Sequence, residues 1–148
     1  MYSRIVIATD GSDLATKGVD HGLALAEALS AQAVIVTVTE PTVPVVAASE
    51  VAWVPSWDPT ELDRAKANAA AQTLAAAKDR AKGKSITVTT EHVVNPSAAE
   101  GIIETARTRD ADLIVIASHG RRGIGRLLLG SQANAVVTQS HLPVLVVR

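Results

Sequence analysis

Short aliphatic runs alternate along this chain with segments whose apolar side chains repeat at helical spacing, and that alternation leaves few folds open. Arg4-Ile5-Val6-Ile7-Ala8-Thr9 and Ala33-Val34-Ile35-Val36-Thr37-Val38-Thr39 are short, β-branched and almost continuously apolar. They read as strands buried on both faces. Ala111 to Ala117 reads as a further strand, the most apolar of all, and Pro143 to Val147 as the last. Ser85 to Glu91 alternates polar with apolar residues, which predicts an edge strand with one polar face.

The segments between them carry helix signals. Ser12 is a natural N-cap, and Ala15, Gly18, Val19, Gly22, Ala26 and Leu29 then form one apolar face. Gly18 and Gly22 weaken an isolated helix, but on an inner face they allow close contact with a sheet. Asp58-Pro59-Thr60-Glu61 opens a helix with a capping acid, proline at the first position and Glu three residues after the cap. That helix is expected to run to about Lys82 and to end at Gly83. Asn95-Pro96 is expected to cap the next, with Ala99, Ile102, Ile103 and Ala106 facing inward and Arg107 and Arg109 at its negative end. A short helix over about 131–140 precedes the last strand.

Strand–helix alternation of this kind predicts an α/β fold: one doubly wound, five-stranded parallel sheet with helices on both faces. Right-handed crossovers leave few topologies, and the expected strand order is 3-2-1-4-5, in one domain over residues 1–148. Residues 40–57, with prolines at 41, 44 and 55, are long for a loop in such a domain. Trp53 and Trp57 anchor that stretch by packing, or it serves as a lid or an interface.

Composition narrows the function. The 148 residues are 47% hydrophobic and 20% charged, which is the balance of a folded domain. A net charge of −1 gives no basic face for coating nucleic acid. There is no cysteine, which excludes disulfides, thiolate metal sites and thiol nucleophiles and fits a reducing cytoplasm. No signal peptide is recognisable, and no run approaches the roughly 20 apolar residues of a membrane span. The expectation is a cytoplasmic protein. Without Phe, the core must rest on Val, Ile, Leu and Ala.

In sheets of this kind, ligands bind beyond the carboxyl ends of the strands where strand order reverses. Two stretches meet that condition. Thr9-Asp10-Gly11-Ser12 follows the first strand, and the fourth runs into Ala117-Ser118-His119-Gly120-Arg121-Arg122-Gly123-Ile124-Gly125-Arg126-Leu127-Leu128-Leu129-Gly130-Ser131. Glycines permit close approach of backbone to a ligand, and a helix start offers N–H groups to an anion. The loop therefore suits phosphate.

Other phosphate chemistries do not fit. No Gly-x-x-x-x-Gly-Lys-Ser/Thr string exists, and only Gly11 follows the first strand where a dinucleotide fingerprint needs three glycines. An aspartyl-phosphate phosphatase needs an acid where Ala8 stands, and a receiver domain needs a late lysine, whereas none follows Lys84. His21, His92, His119 and His141 are scattered, with no helical pair for a metal. Only His119 lies near the loop, as a ligand contact or as a hydrogen-bonding loop residue.

The opening through Ser12, Asn95-Pro96, the glycine loop and Leu142-Pro143-Val144-Leu145-Val146-Val147 together resemble the universal stress protein family of the adenine-nucleotide α-hydrolase-like superfamily. Its ATP-binding members share Gly, two residues, Gly, nine residues, Gly-Ser/Thr; here the string runs from Ala117 through Gly120 to Gly130-Ser131. The resemblance implies ATP, with Mg2+, as ligand and little or no hydrolysis. Asp10 would contact ribose or a metal-bound water, and the Val38 backbone would meet the adenine. Gly120, Gly130 and Ser131 would hold the phosphates, and Thr9, Ile116, Ala117, His119, Arg121, Gln132 and Ala133 would complete the site. Arg121, Arg122 and Arg126 would screen phosphate charge or face water, and Leu127-Leu128-Leu129 would clip the loop to the core. The resemblance also implies a homodimer through Pro143 to Val147 and an unknown protein partner in a regulatory stress response. Ala117 departs from the pattern, where the family has glycine. The alternative is a dimeric interaction protein of the same fold that binds no nucleotide.

Overall fold

The structure is a computed structural model, and it describes residues 1–42, 58–119 and 129–148. Its elements run β1 (Arg4–Ala8), α1 (Asp13–Leu29), β2 (Gln32–Thr39), α2 (Pro59–Asp79), β3 (Val88–Val94), α3 (Ala98–Thr108), β4 (Leu113–Ala117), α4 (Ser131–Gln139) and β5 (Val144–Val147). The strands form a five-stranded sheet in the order β3-β2-β1-β4-β5, all in parallel pairs. This is the expected doubly wound α/β architecture.

Each face of the sheet has its own core. Ile5, Ile7, Ile35 and Val115 pack with Val19, Leu23 and Ala26 of α1 and with Leu74 and Ala77 of α2. Val6, Val34, Val36, Ile114 and Ile116 pack on the opposite side with Ala99, Ile102 and Ala106 of α3 and with Ala133 and Val136 of α4. Burying each large aliphatic side chain contributes about 1.5–3 kcal/mol. The many alanines contribute less each, but they bring helices close to the sheet.

Two caps match the sequence. Ser12 accepts the Ala15 N–H at 3.2 Å, and Asp58 accepts the Thr60 N–H at 2.9 Å with Pro59 opening the helix. Three expectations shift. The second helix ends at Asp79, and the chain turns through Gly83 at φ +84. β3 consequently starts at Val88 rather than Ser85, because its register pairs Val88 with Ala33. Ser97 caps α3 and accepts the Glu100 N–H, while Asn95 Oδ1 accepts the Ser97 N–H one turn earlier. α4 starts at Ser131 as expected, with Gly130 as its N-cap. β3 is an edge strand as expected, and β5 forms the other edge.

Candidate functional site

The site is built from the carboxyl ends of β1, β2 and β4. β1 and β4 are neighbours, registered up to Ile7 beside Val115. Thr9-Asp10 therefore leaves β1 beside Ile116-Ala117, the last residues of β4, which still pair with Val146 and Val147 of β5. Gly11 has φ 78, a left-handed conformation that favours glycine. It turns the chain from β1 into α1. Within that turn Asp10 Oδ1 accepts the Ser12 N–H at 3.0 Å and Thr9 Oγ1 accepts the Gly11 N–H at 3.2 Å. The Asp10 carboxylate is thus held at the carboxyl end of the first strand.

Beside it, β2 runs past the end of β1. The Thr9 N–H donates to the Val36 carbonyl at 3.0 Å, so the backbone groups of Val36 face β1. Those groups alternate sides along a strand, and the N–H and C=O of Val38 face the same way, beyond Ala8 where β1 stops. The Val38 side chain is directed elsewhere. It packs over Gly101 of α3, where an added Cβ would come within 2.9 Å of Val38 Cγ1. Past β2, Lys66 donates to the Glu40 carbonyl and the Thr42 hydroxyl. Asp63 accepts the Thr42 N–H at 3.0 Å, and hydrogen bonds from the Thr42 side chain and backbone hold its carboxyl below the usual range.

From β4 the Ser118 N–H donates to the Val147 carbonyl at 2.7 Å, and the Gly130 N–H donates to the Ser118 carbonyl at 2.7 Å. The second bond ties the two ends of the glycine loop together. An added Cβ at Gly130 would sit 3.1 Å from that carbonyl and 3.4 Å from the His119 Cα. The close passage of backbone thus favours glycine, a reason separate from any ligand. The His119 Nδ1 lies 3.1 Å from the Ser118 hydroxyl.

α4 begins here with no side-chain cap. Its first rung is the Asn134 N–H to the Gly130 carbonyl, 2.9 Å. The N–H groups of Ser131, Gln132 and Ala133 precede that rung and carry the positive end of the helix dipole. The Gln132 side chain is committed elsewhere, since its Oε1 accepts the Ala99 N–H of α3 at 3.1 Å. Ala133 and Ile116 are buried in the α3–α4 core. For these three residues the route to a ligand is through main-chain groups.

Ala117, where the motif departs from glycine, is 6% exposed. A Cβ built at Gly18 of α1 would lie 3.7 Å from the Ala117 Cβ and 3.5 Å from its nitrogen. The Ala117 methyl therefore sits against α1, over a position that has no side chain. Gly120, Arg121, Arg122, Arg126, Leu127 and Leu128 lie outside the described residues, as do Trp53, Trp57 and most of the 40–57 stretch.

Gly18 makes the close helix–sheet contact expected of it, and its partner is Ala117. Sequence reasoning passed over Thr37, a buried hydroxyl that donates to the Thr9 carbonyl at 2.9 Å. A hydroxyl residue followed by Val38 inside an otherwise apolar strand was the available signal. Among the described residues no group of three or more His, Asp or Glu could hold a metal, and no helix is long and apolar enough to cross a membrane.

A family model described as the universal stress protein family matches residues 1–148. The chain is 31% identical over 148 residues to a universal stress protein of Methanocaldococcus jannaschii, covering all of this chain and 83% of that protein. It is 30% identical over 149 residues to the universal stress protein YxiE of Bacillus subtilis, covering all of both. A solved universal stress protein in complex with cAMP aligns with TM-score 0.72 and 30% identity over 99% of this chain and 97% of that one. With the predicted strand order observed and the family matched from end to end, the chain belongs to the universal stress protein family.

Proposed function

We propose that residues 1–148 act as one nucleotide-binding domain that holds ATP with Mg2+, with little or no turnover, in a cytoplasmic regulatory or stress-response role. The observation that carries this reading is the uncapped start of α4, tied through Gly130 to Ser118 at the carboxyl end of the sheet. An anion is favoured there by main-chain N–H groups and by the helix dipole. The neighbouring Val38 N–H and C=O match the acceptor N1 and donor N6 on one edge of adenine. Asp10 supplies a carboxylate for the ribose hydroxyls or for a water on Mg2+. The ion would arrive with the nucleotide phosphates and keep most of its water ligands. The relative at 30% identity that binds cAMP supports an adenine nucleotide as the ligand class.

Binding requires no general base. Bound nucleotide would act by favouring one conformation or one protein partner over another, to the extent that it binds them differently. β5 is an edge strand whose Leu145 is 39% exposed, and pairing of two copies across this edge would cover it. The dimer belongs to the proposal.

Calorimetric titration with Mg-ATP, together with identification of small molecules released by denaturing the purified protein, tests the reading. Heat of binding that is lost in Gly130→Asp is expected. No heat and no copurified nucleotide would refute it. Steady ADP release above an Asp10→Ala control would overturn the non-catalytic part. The competing reading, an interaction protein without nucleotide, was motivated by Ala117, and the placement of its methyl over Gly18 weakens that motive.

A further inference from the structure

We infer that Thr37, outside the nucleotide motif, is a positioning residue that sets the nucleotide affinity of the site by fixing Asp10 through the Thr9 carbonyl. The inference rests on the nucleotide-binding reading above. Thr37 is 6% exposed and lies in β2 among Ile35, Val36 and Val38. Its hydroxyl donates to the Thr9 carbonyl at 2.9 Å. A buried hydroxyl is costly unless paired, so the partner it takes is informative.

That partner stands where β1 leaves the sheet. The β1–β2 register ends at Ala8 beside Val36, and the Thr9 N–H to Val36 carbonyl bond is the last main-chain tie. Two residues later the chain reverses through Gly11 into α1. The Thr9 carbonyl belongs to the same peptide plane as the Asp10 nitrogen. Holding that oxygen therefore fixes the direction in which the Asp10 Cα and carboxylate leave the strand. Thr9 and Asp10 in turn accept the Gly11 and Ser12 N–H groups. Thr37 thus stands at the base of the turn that presents Asp10, and it needs no contact with the ligand.

The test is a set of Mg-ATP titrations on the full chain. Thr37→Val keeps the shape and removes only the donor, and about tenfold weaker binding is expected from loss of one such hydrogen bond. Thr37→Ser keeps the donor and should restore affinity close to wild type. In the Asp10→Ala background, Thr37→Val should cause no further loss, because its effect passes through Asp10. Wild-type affinity in Thr37→Val, or losses that add fully with Asp10→Ala, would overturn the inference. Should Thr37→Val not yield folded protein, Thr37→Ala carries the same comparison.

Amide exchange at Gly11 and Ser12 in the nucleotide-free protein separates this inference from the reading beneath it. Faster exchange in Thr37→Val supports the positioning role even if wild type binds no ATP, an outcome that would sink only the functional reading. Unchanged exchange overturns the role.

Discussion

Two glycines four residues apart on α1 should respond to the same substitution with opposite signs. Alanine in place of an interior helical glycine stabilises by about 1 kcal/mol when space allows. At Gly18 the added Cβ would meet Ala117 at 3.5, 3.7 and 3.9 Å, which is ordinary van der Waals contact. Gly18→Ala should therefore retain most of that gain. At Gly22 the added Cβ would lie 2.6 Å from Ile7 Cδ1, 2.7 Å from Cγ1 and 3.3 Å from Cγ2. Ile7 is 0% exposed in the middle of the central strand, so it has no solvent side to move into. Overpacking of this kind costs about 1–3 kcal/mol, and contacts this short point to the upper end. After the helix-propensity gain, Gly22→Ala should lose about 2 kcal/mol. At roughly 2–4 °C per kcal/mol for a chain of this size, the melting temperature should rise about 2–4 °C for Gly18→Ala and fall about 4–8 °C for Gly22→Ala. Thermal and urea unfolding followed by far-UV circular dichroism, at one protein concentration, measures both. Ile7→Ala removes all three clashing atoms, so its own cost of about 2–5 kcal/mol should shrink by more than about 1 kcal/mol in the Gly22→Ala background. Equal stability of the two glycine variants, or strict additivity with Ile7→Ala, would refute the packing argument.

Three further outcomes follow from the site and its supports. Ala117→Gly should leave ATP affinity within about twofold, well short of the tenfold that 1.4 kcal/mol represents, and should destabilise the fold by about 1 kcal/mol; a large gain in affinity by calorimetry would mean that the methyl crowds the ligand after all. Gln132→Ala removes the acceptor for the Ala99 N–H and should cost about 0.5–1.5 kcal/mol in urea unfolding with affinity unchanged, whereas lost affinity at unchanged stability would put its side chain on the nucleotide. Asp112 accepts Ser3 N–H at 2.7 Å, Ser3 Oγ–H at 2.8 Å and Arg4 N–H at 3.1 Å. Burial pushes its pKa up, but the combined hydrogen bonds from Ser3 and Arg4 outweigh burial and hold it below the usual value. A lowered folded-state value contributes stability that is present above the unfolded value near ~4 and is lost as pH falls through the folded one. Asp112→Ala should therefore cost about 1–2 kcal/mol at neutral pH after allowance for solvent screening, and the gap should narrow in acid; a gap that persists below both values would show that the charge is not its source.

The alternation of strand and helix was readable because burial on two faces of a parallel sheet leaves no room for polar residues in the central strands. Ile5 to Ala8, Val34 to Val36 and Leu113 to Ala117 carry that signature, and the handedness of crossovers then leaves few topologies, of which the observed order is one. Register was not readable. Ser85-Ile86-Thr87 alternates as well as the true edge strand does, and only pairing of Val88 with Ala33 decides where β3 begins. Caps were ambiguous for a similar reason. Asn95 and Ser97 are both capping residue types two positions apart, and each takes a backbone N–H, but only Ser97 takes the one that opens α3. The Gln132 contact with Ala99 depends on two helices meeting across the far face of the sheet, and spacing along the chain cannot reveal that.

The candidate site is largely a main-chain construction, which explains both why its motif is sparse and why one position in it can vary. Among the described residues, the groups at this end of the sheet are the Val38 N–H and C=O and the first N–H groups of α4, with Asp10 as a charged side chain. Each is delivered by the end of a strand or the start of a helix, so its placement depends on packing below the site. Among the described residues, glycine is favoured where backbone passes backbone, as at Gly130 above the Ser118 carbonyl, or where φ is positive, as at Gly11. Ala117 meets neither condition. Its methyl needs only a gap on the α1 face, and Gly18 provides one. On this reasoning the first glycine of the motif and the residue at position 18 form a volume pair. The combination to avoid is a side chain larger than alanine at both, because the two would then contest the same space between α1 and β4.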